Sequence, residues 1–166
     1  WKQTFISIMT NKYDYILAKH EDKGGMSLTA HLKNVASAAI VIASHLGLDE
    51  ELARKGAILH DIGKASPLFQ RTLKRGYISQ PGFVFRHEIA SVFFISLFPE
   101  NERNTLLDMI VAHHKSISKD IGEKGILDLD DNMDSFTRHS EKFEEWSPVA
   151  IEILGEFGLS TRLIDL

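Results

Sequence analysis

Ala57-Ile58-Leu59-His60-Asp61-Ile62-Gly63-Lys64 is the stretch on which the reading of this chain turns. An apolar run ends in a His-Asp doublet, and Gly63 follows, where it is expected to break the helix that the run implies. Burying an imidazole and a carboxylate without partners costs several kcal/mol. Something must therefore sit against His60 and Asp61. The other histidines indicate what it is: His31 upstream, His87 downstream, then the doublet His113-His114. The pattern reads as four helices converging on one metal site.

Composition narrows the chemistry. A chain of 166 residues is long enough for one domain with a real core. Charged residues make up 25% and hydrophobic residues 43%, as in an ordinary globular protein. There is no cysteine, which excludes disulfides and thiolate ligands. Any metal must be held by imidazole and carboxylate. Eight histidines are the one compositional oddity. The net charge of −4 argues against a basic coat for nucleic acid but leaves room for a local groove. No apolar run approaches the ~18 residues of a membrane span, and there is no secretory signal. No membrane partner and a cytoplasmic location are expected. The first residue is Trp1 rather than Met, so a trimmed chain is expected.

The rest of the chain reads as helices. Residues 1–20 alternate apolar and polar in a helix-like way. Ser27 is a candidate N-cap for a helix over 28–46, stopped by Gly47. Its apolar stripe is Leu28, Leu32, Val35, Ala39, Ile42, Ala43 and Leu46, with His31 at the edge. Asp49 caps a helix over 50–62. A short helix over 67–75 begins at Pro67. A helix over 87–98 is apolar nearly all round and should be central. Asn101 caps a helix that runs to His113-His114. Residues 115–134 read as an exposed loop or lid, and Ser147-Pro148 restarts a helix. No period-2 strand appears, so the class is all-α.

Neighbours on a helix point about 100° apart. His60 and Asp61 on one helix would not easily chelate a single ion side by side, but they could flank two ions with the carboxylate bridging. Imidazole with carboxylate suits Mn, Fe, Co or Ni, with Mg and Zn as further candidates, and the sequence cannot choose among them. Two such ions ~3.5–4 Å apart form the usual centre for phosphoester hydrolysis. Helix dipoles agree. His60-Asp61 and His113-His114 stand at helix C-termini, where a cation is favoured, and His87 stands at an N-terminus, where a neutral ring is favoured. A lone core histidine is more often hydrogen-bonded than metallated. The joint pattern is what points to metal. His20, His45 and His139 lack it and read as surface or internally satisfied side chains.

The order His31, His60-Asp61, His87, His113-His114 resembles the HD superfamily of metal-dependent phosphohydrolases. More narrowly it resembles the HD nuclease domain of the CRISPR-associated helicase-nuclease of type I systems. Leu17-Ala18-Lys19, Ser27-Leu28-Thr29-Ala30-His31-Leu32, Leu59-His60-Asp61-Ile62-Gly63-Lys64, Arg86-His87-Glu88 and Ala112-His113-His114 carry the resemblance, which spans about residues 15–116. It implies an all-α HD-domain bundle with the site at converging helix ends. It implies one metal at His31, His60, Asp61 and a distal Asp, and a second at Asp61, His87, His113 and His114. The distal Asp has no clear counterpart. Asp165 is the nearest candidate, Asp128, Asp130, Asp131 and Asp134 read as loop solvation, and the true residue is expected beyond Leu166. The chain is thus expected to be a single HD nuclease domain over 1–166, truncated at its C-terminus.

The implied reaction is hydrolysis of single-stranded DNA by metal-activated water in CRISPR interference. The implied partners are a superfamily-2-type helicase domain or subunit and the CRISPR RNA-guided surveillance complex. Asp61 and Lys64 are the candidate catalytic residues. Lys64 follows the doublet closely enough to steady the scissile phosphate or its leaving oxygen. Arg71, Lys74, Arg75 and Arg86 are candidate strand-binding residues, with Phe69, Tyr77, Phe83 and Phe85 interleaved for base stacking. Alternatively these charges are a solvated face and the phenylalanines are core. Two other functions stay open: an HD phosphohydrolase of nucleotides or cyclic dinucleotides, and a metal-deficient docking module.

Overall fold

In the computed structural model, residues 11–78, 85–112 and 139–159 are described. Local chemistry sets the first two helices. The Ser27 hydroxyl accepts the Ala30 amide and opens α1, Leu28–Leu46, which Gly47 closes in the left-handed region at φ 66°. The Asp49 carboxylate accepts the Leu52 amide and opens α2, Glu50–Leu59. Each such cap contributes about 1 kcal/mol. The two helices pack as an antiparallel pair over Leu28, Leu32, Ile58 and Leu59, all fully buried.

α2 stops sooner than its sequence suggests. It ends at Leu59, and after His60 and Asp61 a 3-10 turn, Ile62–Ala65, carries the chain on. Gly63 does not break the helix. It lies beyond the break, wedged so tightly against α4 (His87–Val92) that a Cβ there would sit 2.1 Å from the His87 carbonyl oxygen. Along the chain the two are separated by α3, Pro67–Thr72, with Ser66 as its cap. The expected helix over 87–98 is split into α4 and a 3-10 turn, Ile95–Leu97. α5, Glu100–Ala112, packs on α2, where Lys55 grips Glu102 through both carboxylate oxygens at 2.8 and 2.9 Å. α6, Phe143–Glu156, lies against the Ile62–Ala65 turn and buries Trp146, Ile153 and Leu154.

Three further expectations change. The described part of the N-terminal segment, residues 11–20, is turns and an isolated antiparallel bridge between Leu17 and Ser27, not helix. Tyr13 and Ile16 are nevertheless buried, so their apolar spacing reports burial rather than helix. Ile42 and Leu46 are 59% and 66% exposed, although Ala43 between them is 2% exposed, so the buried face of α1 is narrower there than its apolar stripe. Pro148 stands inside α6 rather than at its start. No strand element occurs among the described residues, and the architecture is all-helical.

Candidate metal centre

The early end of α2 builds the site. Asp61 has left the helix (φ −113°, ψ 3°), so its side chain no longer points about 100° away from that of His60. The two converge instead, with His60 Nε2 3.2 Å from Asp61 Oδ2. This corrects the expectation that the pair would not easily chelate a single ion side by side. His31, on the first turn of α1, places Nε2 2.8 Å from the same oxygen. His31, His60 and Asp61 each offer one ligand atom, and these lie within 4.8 Å of one another. His87, the first residue of α4, sits on the opposite oxygen, Nε2 to Oδ1 2.8 Å. Lys64, in the 3-10 turn, donates to Oδ2 at 2.6 Å.

Asp61 is thus a carboxylate surrounded by nitrogen and 2% exposed. Burial works to raise its pKa, but hydrogen bonding, by His31 foremost, outweighs burial and holds the group far below the usual carboxylate range. Burial pushes the His87 imidazole down, against the pull of Asp61. Both directions favour the forms that bind metal, an ionised carboxylate and a neutral ring.

The tautomer of His60 tests the fit to a metal. Its Nδ1 lies 2.7 Å from the Ala57 carbonyl oxygen, which can only accept, so Nδ1 carries the proton. In the neutral ring the Nε2 lone pair then faces Asp61 Oδ2. Two lone pairs at that distance require positive charge between them, from a second ring proton or a cation. A backbone carbonyl on the far nitrogen is how ligating imidazoles are commonly oriented. The donor set fits a divalent ion at His31, His60 and Asp61.

Other residues hold the cluster in place. Ser91 is fully buried. Its hydroxyl donates to the His60 carbonyl at 3.0 Å and accepts the Gly63 amide at 2.9 Å. Glu88, 3% exposed, is ion-paired with Arg86, and its Oε2 lies 3.9 Å from His87 Nδ1. The Gln70 amide spans Leu17 and the Lys64 carbonyl. Sequence reasoning gave none of these three a role. The available signals were a serine inside an apolar helix and an acid beside a candidate ligand.

The structure does not treat the expected strand-binding residues alike. Arg71 is exposed. Lys74 pairs with Glu21 at 3.1 Å and Arg75 with Asp22 at 2.9 Å, so acids from outside the stretch meet two of its charges. Arg86 is engaged with buried Glu88 and gives its amide to His139 Nε2 at 2.7 Å, which makes it part of the site's frame rather than of an open face. Phe85 is buried core, Phe69 is half-buried beside His87 with ring centroids 4.9 Å apart, and Tyr77 is exposed. His139 is fully buried and internally satisfied. His113, His114, Asp128, Asp130, Asp131, Asp134, Asp165 and Phe83 lie outside the described residues.

An all-helical domain whose helix ends gather two imidazoles and a buried carboxylate is a metal-binding domain of the His-Asp kind. The match to a family model makes the class particular. The HD domain model covers residues 28–151, from the start of α1 into α6, and the chain belongs to that family. Ribonuclease Y of Chlorobium phaeovibrioides is 33% identical over 96 residues, covering 58% of this chain and 15% of its own length. Ribonuclease Y of Treponema denticola is 27% identical over 133 residues, covering 73% and 23%. That of Helicobacter hepaticus is 54% identical over a shorter stretch of 41 residues, covering 25% and 8%. The chain therefore spans less than a quarter of the length of these relatives. No solved structure matches at a significant level. Among the described residues, no helix is long and apolar enough to cross a membrane.

Proposed function

We propose that the chain is a metal-dependent phosphodiesterase that cuts single-stranded DNA, as the nuclease domain of a type I CRISPR helicase-nuclease. The observation that carries the phosphodiesterase reading is the ring of nitrogen atoms around Asp61, with His60 Nδ1 on the Ala57 carbonyl and its Nε2 3.2 Å from Asp61 Oδ2. A divalent ion bound at His31, His60 and Asp61 would supply Lewis acidity toward a phosphoryl oxygen and a more acidic water. The chain's own residues do the rest. Ala57 fixes the His60 ring through Nδ1–H, and His87 holds the second oxygen of Asp61. Lys64 brings an ammonium to the place where negative charge grows on the phosphate.

The order of the histidine motifs supports the DNA and CRISPR part of the reading. On that ground a superfamily-2-type helicase, as a further domain or a separate subunit, would feed the strand, and an RNA-guided surveillance complex would recruit it. One observation favours a second reading, RNA as the substrate: the relatives found here bear the name ribonuclease. A panel of single-stranded DNA, single-stranded RNA and cyclic dinucleotide, each with added Mn2+ and with chelator, separates these. Preferential cleavage of DNA supports the first reading, and cleavage of RNA alone replaces it with the second. Turnover of the dinucleotide alone would overturn both.

A further inference from the structure

We propose that Lys64 is the chain's own occupant of the cation position on Asp61, and that a divalent metal binds by displacing it. The inference rests on the metal reading of the site and adds a competitor to it. Lys64 Nζ lies 2.6 Å from Oδ2, the oxygen that His31 Nε2 meets at 2.8 Å and His60 Nε2 at 3.2 Å. His87 takes the other oxygen. Metal–ligand bonds at such sites are ~2.0–2.2 Å, so an ion on Oδ2 and the ammonium, both bonded to one atom, could stand no more than ~5 Å apart. Both side chains are shielded from water, Lys64 at 13% and Asp61 at 3% exposure, so the repulsion would be little screened.

The backbone cannot relieve that repulsion. The Lys64 carbonyl is held by the Gln70 amide at 2.7 Å, and its neighbour Gly63 is wedged against α4. The four-carbon stem can move. A second seat is within reach, because Nζ already stands 5.8 Å from the centre of the Phe69 ring, whose face attracts an ammonium. That ring is half-buried and borders His87. The lysine therefore has two stations, one on Asp61 and one toward the half-buried Phe69 ring. The first holds the buried carboxylate when no metal is bound. The second keeps the charge within a few ångströms of the cluster while leaving Asp61 Oδ2 to the metal.

The test is calorimetric titration of Mn2+ into chelator-stripped protein, with the melting temperature of the stripped protein measured alongside. Lys64→Met removes the charge and keeps most of the stem. It is expected to bind Mn2+ about tenfold more tightly than the parent. Its stripped form is expected to melt lower, because Asp61 has lost its ammonium. Lys64→Arg keeps a charge at the site and should bind Mn2+ no more tightly than the parent, which guards against a trivial packing effect. His31→Ala should abolish binding in either background. If His31→Ala abolishes binding while Lys64→Met binds as the parent does, or more weakly, the competition is refuted and the metal site stands. If the parent itself binds no Mn2+, the metal reading falls and the inference falls with it.

Discussion

Gly63→Ala is the substitution in which the geometry makes its sharpest demand. A methyl on this residue would lie 2.1 Å from the His87 carbonyl oxygen, 2.7 Å from the Ser91 amide nitrogen and 2.8 Å from Ala90 Cβ. Carbon and carbonyl oxygen come to rest near ~3.3 Å, so the turn and α4 would have to part by roughly 1.2 Å. The two nearest atoms are backbone and cannot rotate away. Overpacking of this kind costs about 1–3 kcal/mol. The same movement stretches the buried Gly63 amide to Ser91 hydroxyl bond of 2.9 Å, which adds about 1–3 kcal/mol if it breaks. Alanine gives back about 0.4–1 kcal/mol by stiffening the unfolded chain, since Gly63 is not in the left-handed region. The expected net loss is about 2–4 kcal/mol by urea unfolding. His87 rides on the moved helix, and its 2.8 Å contact with Asp61 goes with it, so cleavage should fall by about a hundredfold. A Gly63→Ala protein as stable as the parent, cleaving at the parental rate, would refute the claim that this contact sets the distance between α4 and the His-Asp turn.

Ser91→Ala should lower stability by about 1–3 kcal/mol in the same assay, because a buried amide loses its acceptor and the His60 carbonyl its donor. Asp61→Ala should abolish cleavage and Mn2+ binding, and near-normal cleavage with metal present would be incompatible with the mechanism. Burial keeps His87 below its ordinary pKa, so the unfolded chain takes up that proton first as pH falls. Its contribution to stability is complete above about pH 6.5 and is lost as pH drops through the unfolded value toward the folded one. His87→Asn should therefore flatten the decline in stability of chelated protein between about pH 7 and pH 5. Arg71, Lys74 and Arg75 changed together to Ala should weaken strand binding and flatten its salt dependence; unchanged binding at every salt concentration would mark them as a solvated face.

The starts of α1 and α2 and the His60-Asp61 doublet were legible in the sequence because they are local. Ser27 and Asp49 cap the helices they seemed to cap, since a side chain accepting an amide three residues on needs nothing else from the fold. His60 and Asp61 announced themselves as polar residues at the end of an apolar run. What stayed hidden depends on distant partners. Nothing local reveals that Gly63 is small because α4 passes over it, or that acids at 21 and 22 would neutralise Lys74 and Arg75. The same limit explains Ile42 and Leu46. They continue the stripe of α1, but only Ala43 of that stretch is covered, and helical periodicity does not tell how wide a face the neighbouring elements cover.

The site follows from ending a helix early. Had α2 continued through Asp61, His60 and Asp61 would diverge, and His31 could meet only one of them. Breaking it at Leu59 turns both side chains toward the first turn of α1 and the start of α4, with Ser91 and Gly63 fixing the turn. The cost is a carboxylate and three imidazoles placed where water is scarce. Removing one partner from such a group leaves charge that the rest cannot compensate, a loss of about 3–5 kcal/mol when a buried pair is broken. In the metal-free chain the positive charge that Asp61 requires comes from Lys64, so the residue that stabilises the empty site is also the one that an incoming metal must move.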